Sequence, residues 1–172
     1  DFLALLYPRA EGQGAAATQI LADEAGLRVD HMEGTDHLLL APDGGEMDAG
    51  DARLRGEVAM VRTYDDGRLR LAVLKGKNAL AAAKDWSLES SGPTAVEIRG
   101  KDIRGESSGG KHVAELTLPP DHGPTRVTLD GEPAETDRQG RILTLRLPAG
   151  HHQSHLTPAD CYSFELWLRL RS

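Results

Sequence analysis

The chain has 172 residues, with 39% hydrophobic and 27% charged side chains, 19 Gly and 9 Pro, a globular, turn-rich composition that excludes disorder and collagen-like repeats. Its single cysteine, Cys161, excludes an intramolecular disulfide scaffold. The net charge of −7 is concentrated at the front, where residues 1–51 carry 11 acidic and 2 basic side chains against 16 and 18 in the remainder, so no basic stripe is offered to nucleic acid.

In chain order, Phe2 to Tyr7 is the longest apolar stretch, far short of the roughly 20 residues of a membrane-spanning helix. It lacks a preceding Met, a basic flank and a small-residue cleavage site, so it reads as a strand entered midway rather than a signal peptide. Two origins are expected for such a start: a processed N-terminus, or a segment of a longer polypeptide. After Gly12-Gln13-Gly14, the Ala, Leu, Gln and Glu content of Ala15 to Ala25 favours one short helix ending at Gly26. The competing reading, favoured by the rest of the chain, is a strand over Ala17 to Leu21 with a turn at Asp23 to Gly26.

From Leu27 onward the pattern is β. Strands are expected over Leu27 to Met32, Asp36 to Ala41, Glu57 to Tyr64, Leu69 to Lys75, Asp85 to Glu89, Ala95 to Arg99, His112 to Leu118, Thr125 to Leu129 and Ile142 to Leu147. The breaks between them include Pro42-Asp43-Gly44-Gly45, Ser91-Gly92-Pro93, Asp130-Gly131 and Gln139-Gly140. The clearest hairpin joins Val58 to Tyr64 through Asp65-Asp66-Gly67 to Arg68 to Leu74, whose second strand alternates charge with aliphatic. Asp130 to Leu147 looks like an immunoglobulin-like terminal hairpin, with Leu143, Leu145 and Leu147 on one face. Tyr162 to Ser172 alternates too, placing Phe164, Leu166, Leu168 and Leu170 opposite Glu165, Trp167, Arg169 and Arg171. No internal repeat and no linker divides the chain, so residues 1–172 are expected to form a single all-β domain. Its architecture is an antiparallel β-sandwich with at most one short helix near residues 15–25, and residues 158–172 supply an extra edge strand.

Several groups are candidates for chemistry. His151, His152 and His155 cluster in sequence, but on a strand His151 and His155 stand roughly 13 Å apart and cannot share one zinc, so they are weak metal candidates. Asp43, Glu46, Asp48 and Asp51 lack the spacing of a calcium loop and read as a solvated loop between strands. Cys161 reads as a small buried hydrophobe. His31, Asp36 and His37 are close in sequence, yet Asp36 and His37 point to opposite faces of a strand, so adjacency does not make them a base and its orienter. Trp86 reads as core. Trp167 shares a face with Arg169 and Arg171, a combination suited to an acidic glycan.

The order of strands and turns then points to a family. It runs from Phe2-Leu3-Ala4-Leu5-Leu6-Tyr7-Pro8 to Asp36-His37-Leu38-Leu39-Leu40 and Leu54 to Arg62. After Asp65-Asp66-Gly67 come Leu74-Lys75-Gly76-Lys77-Asn78-Ala79-Leu80, and the pattern closes with Asp137 to Leu147, Pro148 and Gly150. Over residues 1–156 this resembles the C-terminal β-sandwich of heparinase II/III-like polysaccharide lyases. The resemblance implies β-elimination on uronic-acid-containing glycans by domains upstream of this segment, with no catalytic residue and no cofactor here. It implies a module that packs on and supports the catalytic part, in a periplasmic or extracellular protein, and hence the end of a longer chain. Expected partners are that upstream domain and acidic polysaccharide, with dimerisation through the C-terminal strand, and neither nucleic acid nor membrane. The alternatives are an independent carbohydrate-binding or adhesion module, and a small metalloenzyme built on the histidine cluster.

Overall fold

The computed structural model describes residues 14–21, 25–123 and 125–158. Fifteen strands and no helix occupy them: β1 (Ala17–Leu21), β2 (Gly26–His31), β3 (Gly34–Asp48), β4 (Ala52–Tyr64), β5 (Leu69–Lys75), β6 (Ala79–Ala83), β7 (Trp86–Ser90), β8 (Thr94–Arg99), β9 (Asp102–Ser107), β10 (His112–Thr117), β11 (Thr125–Leu129), β12 (Glu132–Pro133), β13 (Thr136–Gln139), β14 (Ile142–Leu147) and β15 (His152–Pro158). Every pairing is antiparallel, in the order β12-β11-β15-β9-β8-β5-β4-β6-β7-β10-β14-β13, with β1, β2 and β3 joining at β4.

The curl of this all-β, sandwich-like sheet originates in the long β3–β4 hairpin. Its first part pairs Gly34 to Leu40 with Val58 to Tyr64; its second pairs Gly45 to Asp48 with Arg53 to Gly56, and between them five steps along β3 match two along β4. The extra residues bend the ribbon, as bulges do. On its other edge β4 changes partner at the same bend, taking β5 with Val58 to Thr63 and β6 with Ala52 to Arg55. Gly56 makes this crossing possible: at φ 129° a Cβ there would lie 2.7 Å from that of Ala79. The two arms of the sheet thus turn toward each other over one core, in which Leu54, Leu71, Leu88, Ile103, Leu116 and Leu156 are fully buried. Where the arms meet at one end, Ser90 Oγ lies 3.0 Å from Thr94 Oγ1, which in turn lies 3.0 Å from His112 Nε2, a hydrogen-bonded seam between β7, β8 and β10.

The Asp65-Asp66-Gly67 hairpin forms as the sequence specifies, with Gly67 at φ 87° and Thr63 opposite Leu69. Leu143, Leu145 and Leu147 face the core from β14, which pairs with β13. One open choice is settled, and one expectation needs correction. Ala17–Leu21 is a strand paired with β2, not part of a helix, because a neighbouring strand outweighs the weak propensity of so short a segment. Pro42 to Gly45 does not end a strand, so the acidic side chains of Asp43, Glu46 and Asp48 stand on β3 itself rather than on a loop. Cys161, Trp167, Arg169, Arg171, the closing strand and any dimer contact through it lie outside the described residues.

Candidate functional site

The arm β3-β4-β5-β8-β9-β15-β11 has two unlike faces. Toward the core, Val61, Leu71 and Val96 form one cross-strand row. Away from it, the neighbouring register places Asp36, Arg62, Arg70, Glu97, Arg104, His155 and Thr128 in a single row. At about 4.8 Å per strand this row extends almost 30 Å. A second outward row continues Ala72, Ala95, Glu106 and Gln153. The sheet curls along these rows into a trough of about 650 Å³, floored by Ala95, Gly105 and Gly131 and walled by the charged and polar side chains.

The trough offers closely interleaved donors and acceptors. Arg70 Nη2 donates to Glu106 Oε1 at 2.5 Å across β5 and β9. Arg104 is 75% exposed at its side chain and engages Asp102 Oδ2 only through Nε, at 3.3 Å, so its terminal amino groups face outward without a partner among the described residues. The His155 ring meets the other oxygen of Asp102, and these two contacts hold the Asp102 carboxyl below the usual carboxylate range, His155 contributing most. At the far wall, Asp130 sits at φ 52° in the turn after β11. Its Oδ1 accepts the Gln153 backbone N–H at 2.9 Å, and its Oδ2 lies 2.7 Å from His152 Nδ1. Both contacts hold its carboxyl below the ordinary value, the backbone N–H most strongly. His152 Nε2 lies 3.2 Å from the Ala149 carbonyl oxygen.

At the opposite end of the row, Asp36 is 7% exposed and accepts two hydrogen bonds from Arg62, from Nε and Nη2, each at 2.5 Å. That carboxylate raises the Arg62 guanidinium above its ordinary value. The guanidinium also lies 5.6 Å from the centre of the Tyr64 ring, on which Arg68 stacks at 4.0 Å. His31 Nε2 lies 3.5 Å from Asp36, so the structure brings together His31 and Asp36, two apart in the β2–β3 hairpin register. His37 points the other way, into the core. It is 1% exposed, neither ring nitrogen has a hydrogen-bond partner among the described residues, and the Asp51 carboxylate at the hairpin tip is 3.4 Å from Nε2. Burial lowers its pKa, with Asp51 opposing.

The remaining sequence candidates disperse. His151 precedes β15, His155 turns to Asp102 and His152 to Asp130, and among the described residues no three His, Cys, Asp or Glu side chains converge as a metal requires. Trp86 packs edge-on against His122, ring centres 5.5 Å apart, and adds to the core. The trough residues Arg70, Glu97, Arg104 and Glu106 were not among the sequence candidates. Their only signal is the alternation of Arg70 with Leu69 and Leu71 in β5 and the alternate placing of Arg104 and Glu106 in β9, and the cross-strand order that assembles them with Glu97 of β8 is not written in any one strand. No family model, no curated protein and no solved structure matches the chain.

Proposed function

We propose that the chain is a non-catalytic β-sandwich module of a heparinase II/III-like polysaccharide lyase, packing on and supporting the catalytic part and contacting the acidic glycan through the trough. The observation supporting this reading is the outward row on β5, β8, β9 and β15, where Arg104 directs unpaired N–H donors over a floor of small residues. Sugar hydroxyls both donate and accept, and carboxylates Glu97, Glu106 and Asp130 beside amide Gln153 and cations Arg70 and Arg104 suit them. A uronate carboxylate suits the free end of Arg104.

Affinity electrophoresis of the chain through gels containing polygalacturonate, alginate, hyaluronan or heparin tests this. Retardation by at least one polymer is expected, weakened about tenfold by Arg104→Ala, the loss of one charge-assisted contact. Migration unaffected by all four polymers would sink the glycan assignment, and unsaturated-uronate absorbance produced by the chain alone would overturn its non-catalytic part. Because the trough is lined by this chain's own residues, an independent carbohydrate-binding module is the second reading. Glycan retention that a saturating catalytic domain leaves unchanged, with no complex formed between the two, would favour the second; a stable complex would favour the first.

A further inference from the structure

The far wall of the trough holds a histidine whose two ring nitrogens both face acceptors. His152 Nδ1 is 2.7 Å from Asp130 Oδ2 and Nε2 is 3.2 Å from the Ala149 carbonyl oxygen. A neutral imidazole carries one N–H and can donate to only one of them, whereas an imidazolium donates to both. The same Asp130 accepts the Gln153 N–H through its other oxygen, and the Asp130 N–H donates to the Gln153 carbonyl at 2.8 Å. Asp130 and Gln153 line that wall. The ring thus braces, through the free oxygen of Asp130, a turn that these two bonds to Gln153 also anchor.

We propose that His152 is a protonation-controlled latch: as an imidazolium it clamps the turn after β11 to the start of β15 and sets the trough wall, and as a neutral ring it releases one of its two contacts and loosens that wall. The charged groups around it are few. Asp130 comes from the turn, and His151, its chain neighbour, acts on Asp130 in the opposite sense to a carboxylate. Across on β9 stands Ser107, and beyond it on β8 Thr94, both uncharged. The Asp130 hydrogen bond, reinforced by the Ala149 carbonyl, raises the ring above its ordinary value, so the latch is closed on the acid side of that raised titration and opens on its alkaline side.

As a regulator of binding, the latch rests on the glycan reading; as a device of the fold it does not, and the test separates the two. Histidine ring resonances of the full chain, followed by NMR from about pH 5 to about pH 9, are expected to show His152 titrating above about 6.5. Amide exchange at Gln153, corrected for its intrinsic rate, is expected to lose protection through the same interval. Asp130→Asn should return the His152 titration to its ordinary range and remove the change in protection. A wild-type His152 that titrates at or below about 6.5, or Gln153 protection that is flat through its titration, overturns the latch even where the variant does not fold. Retardation by polygalacturonate should weaken about fivefold between pH 6 and pH 9, a modest coupling. Equal retardation at both overturns the regulatory role, and no retardation at either, with the ring titration as expected, overturns the glycan reading while the latch stands.

Discussion

Strands β5, β8 and β9 present two faces built from alternate residues of the same sequence. On one face Leu71 and Val96 are buried at 0% and 3% exposure; one residue away on the other stand Arg70 and Glu97, joined by Arg104. The inner face holds the arms together by removing apolar surface from water, which needs no particular partner. The outer face holds ion pairs in high dielectric, where each pair contributes between 0 and about 1 kcal/mol. The outer row is therefore under little obligation to the fold, and its geometry is open to serve a ligand.

The largest expected effect falls on the inner face. Leu71→Ala leaves a cavity in the middle of the core, and its unfolding free energy in denaturant should fall by about 2–5 kcal/mol. Arg70→Ala, the next residue along, should change it by no more than about 0.5 kcal/mol. Comparable losses in the two variants would remove the contrast between the faces.

The row is not uniform, and its Asp36 end sharpens the comparison. Here the carboxylate is buried and bound by both Nε and Nη2 of Arg62, so Arg62→Ala strands an acceptor that water reaches poorly. A loss of about 1–3 kcal/mol is expected, between the costs at Leu71 and at Arg70. If Arg62→Ala were as silent as Arg70→Ala, burial at Asp36 would not be what distinguishes the two ends.

This gradient also shows what sequence alone conveys. The inner face is legible because it is a local property: Leu69, Leu71 and Val73 alternate with Arg70 and Ala72, and Leu143, Leu145 and Leu147 repeat the pattern. β6 and β9 escape because Ala79-Leu80-Ala81-Ala82-Ala83 has helical propensity and Asp102 to Ser107 has one aliphatic residue; both are strands through their neighbours, β4 and β7 for one, β8 and β15 for the other. The trough is further still from the local sequence. Arg70 meets Glu106 and His152 meets Asp130 across sequence separations of 36 and 22, and the histidine cluster that stands out in sequence sends His152 and His155 to different carboxylates.

Histidines on the two sides provide the smallest and most pointed test, because the same ring is shifted in opposite directions. His37 stands in the inner row opposite Val61 and is held neutral chiefly by burial. Its folded value is below the unfolded value of about 6.5, so between the two the unfolded chain binds more protons. The stability it permits is intact above about pH 6.5 and declines as pH falls toward the folded value. For His152 at the trough rim, raised by Asp130 and Ala149, the folded state binds more protons. Its contribution is complete below about pH 6.5 and is lost as pH rises through the folded value. Denaturant midpoints measured across pH should therefore drop on both sides of an interior maximum. His37→Leu should flatten the part of the acid limb just below about pH 6.5, leaving there the share of His122, which burial and Arg138 also depress, while the more acid part belongs to depressed carboxyls such as Asp102 and Asp130. His152→Gln should flatten the alkaline limb and leave the His37 part of the acid one unchanged, altering it only where Asp130 titrates. An acid limb untouched by His37→Leu, or an alkaline limb that survives His152→Gln, would show that position on the sheet does not set the sign of the histidine's response.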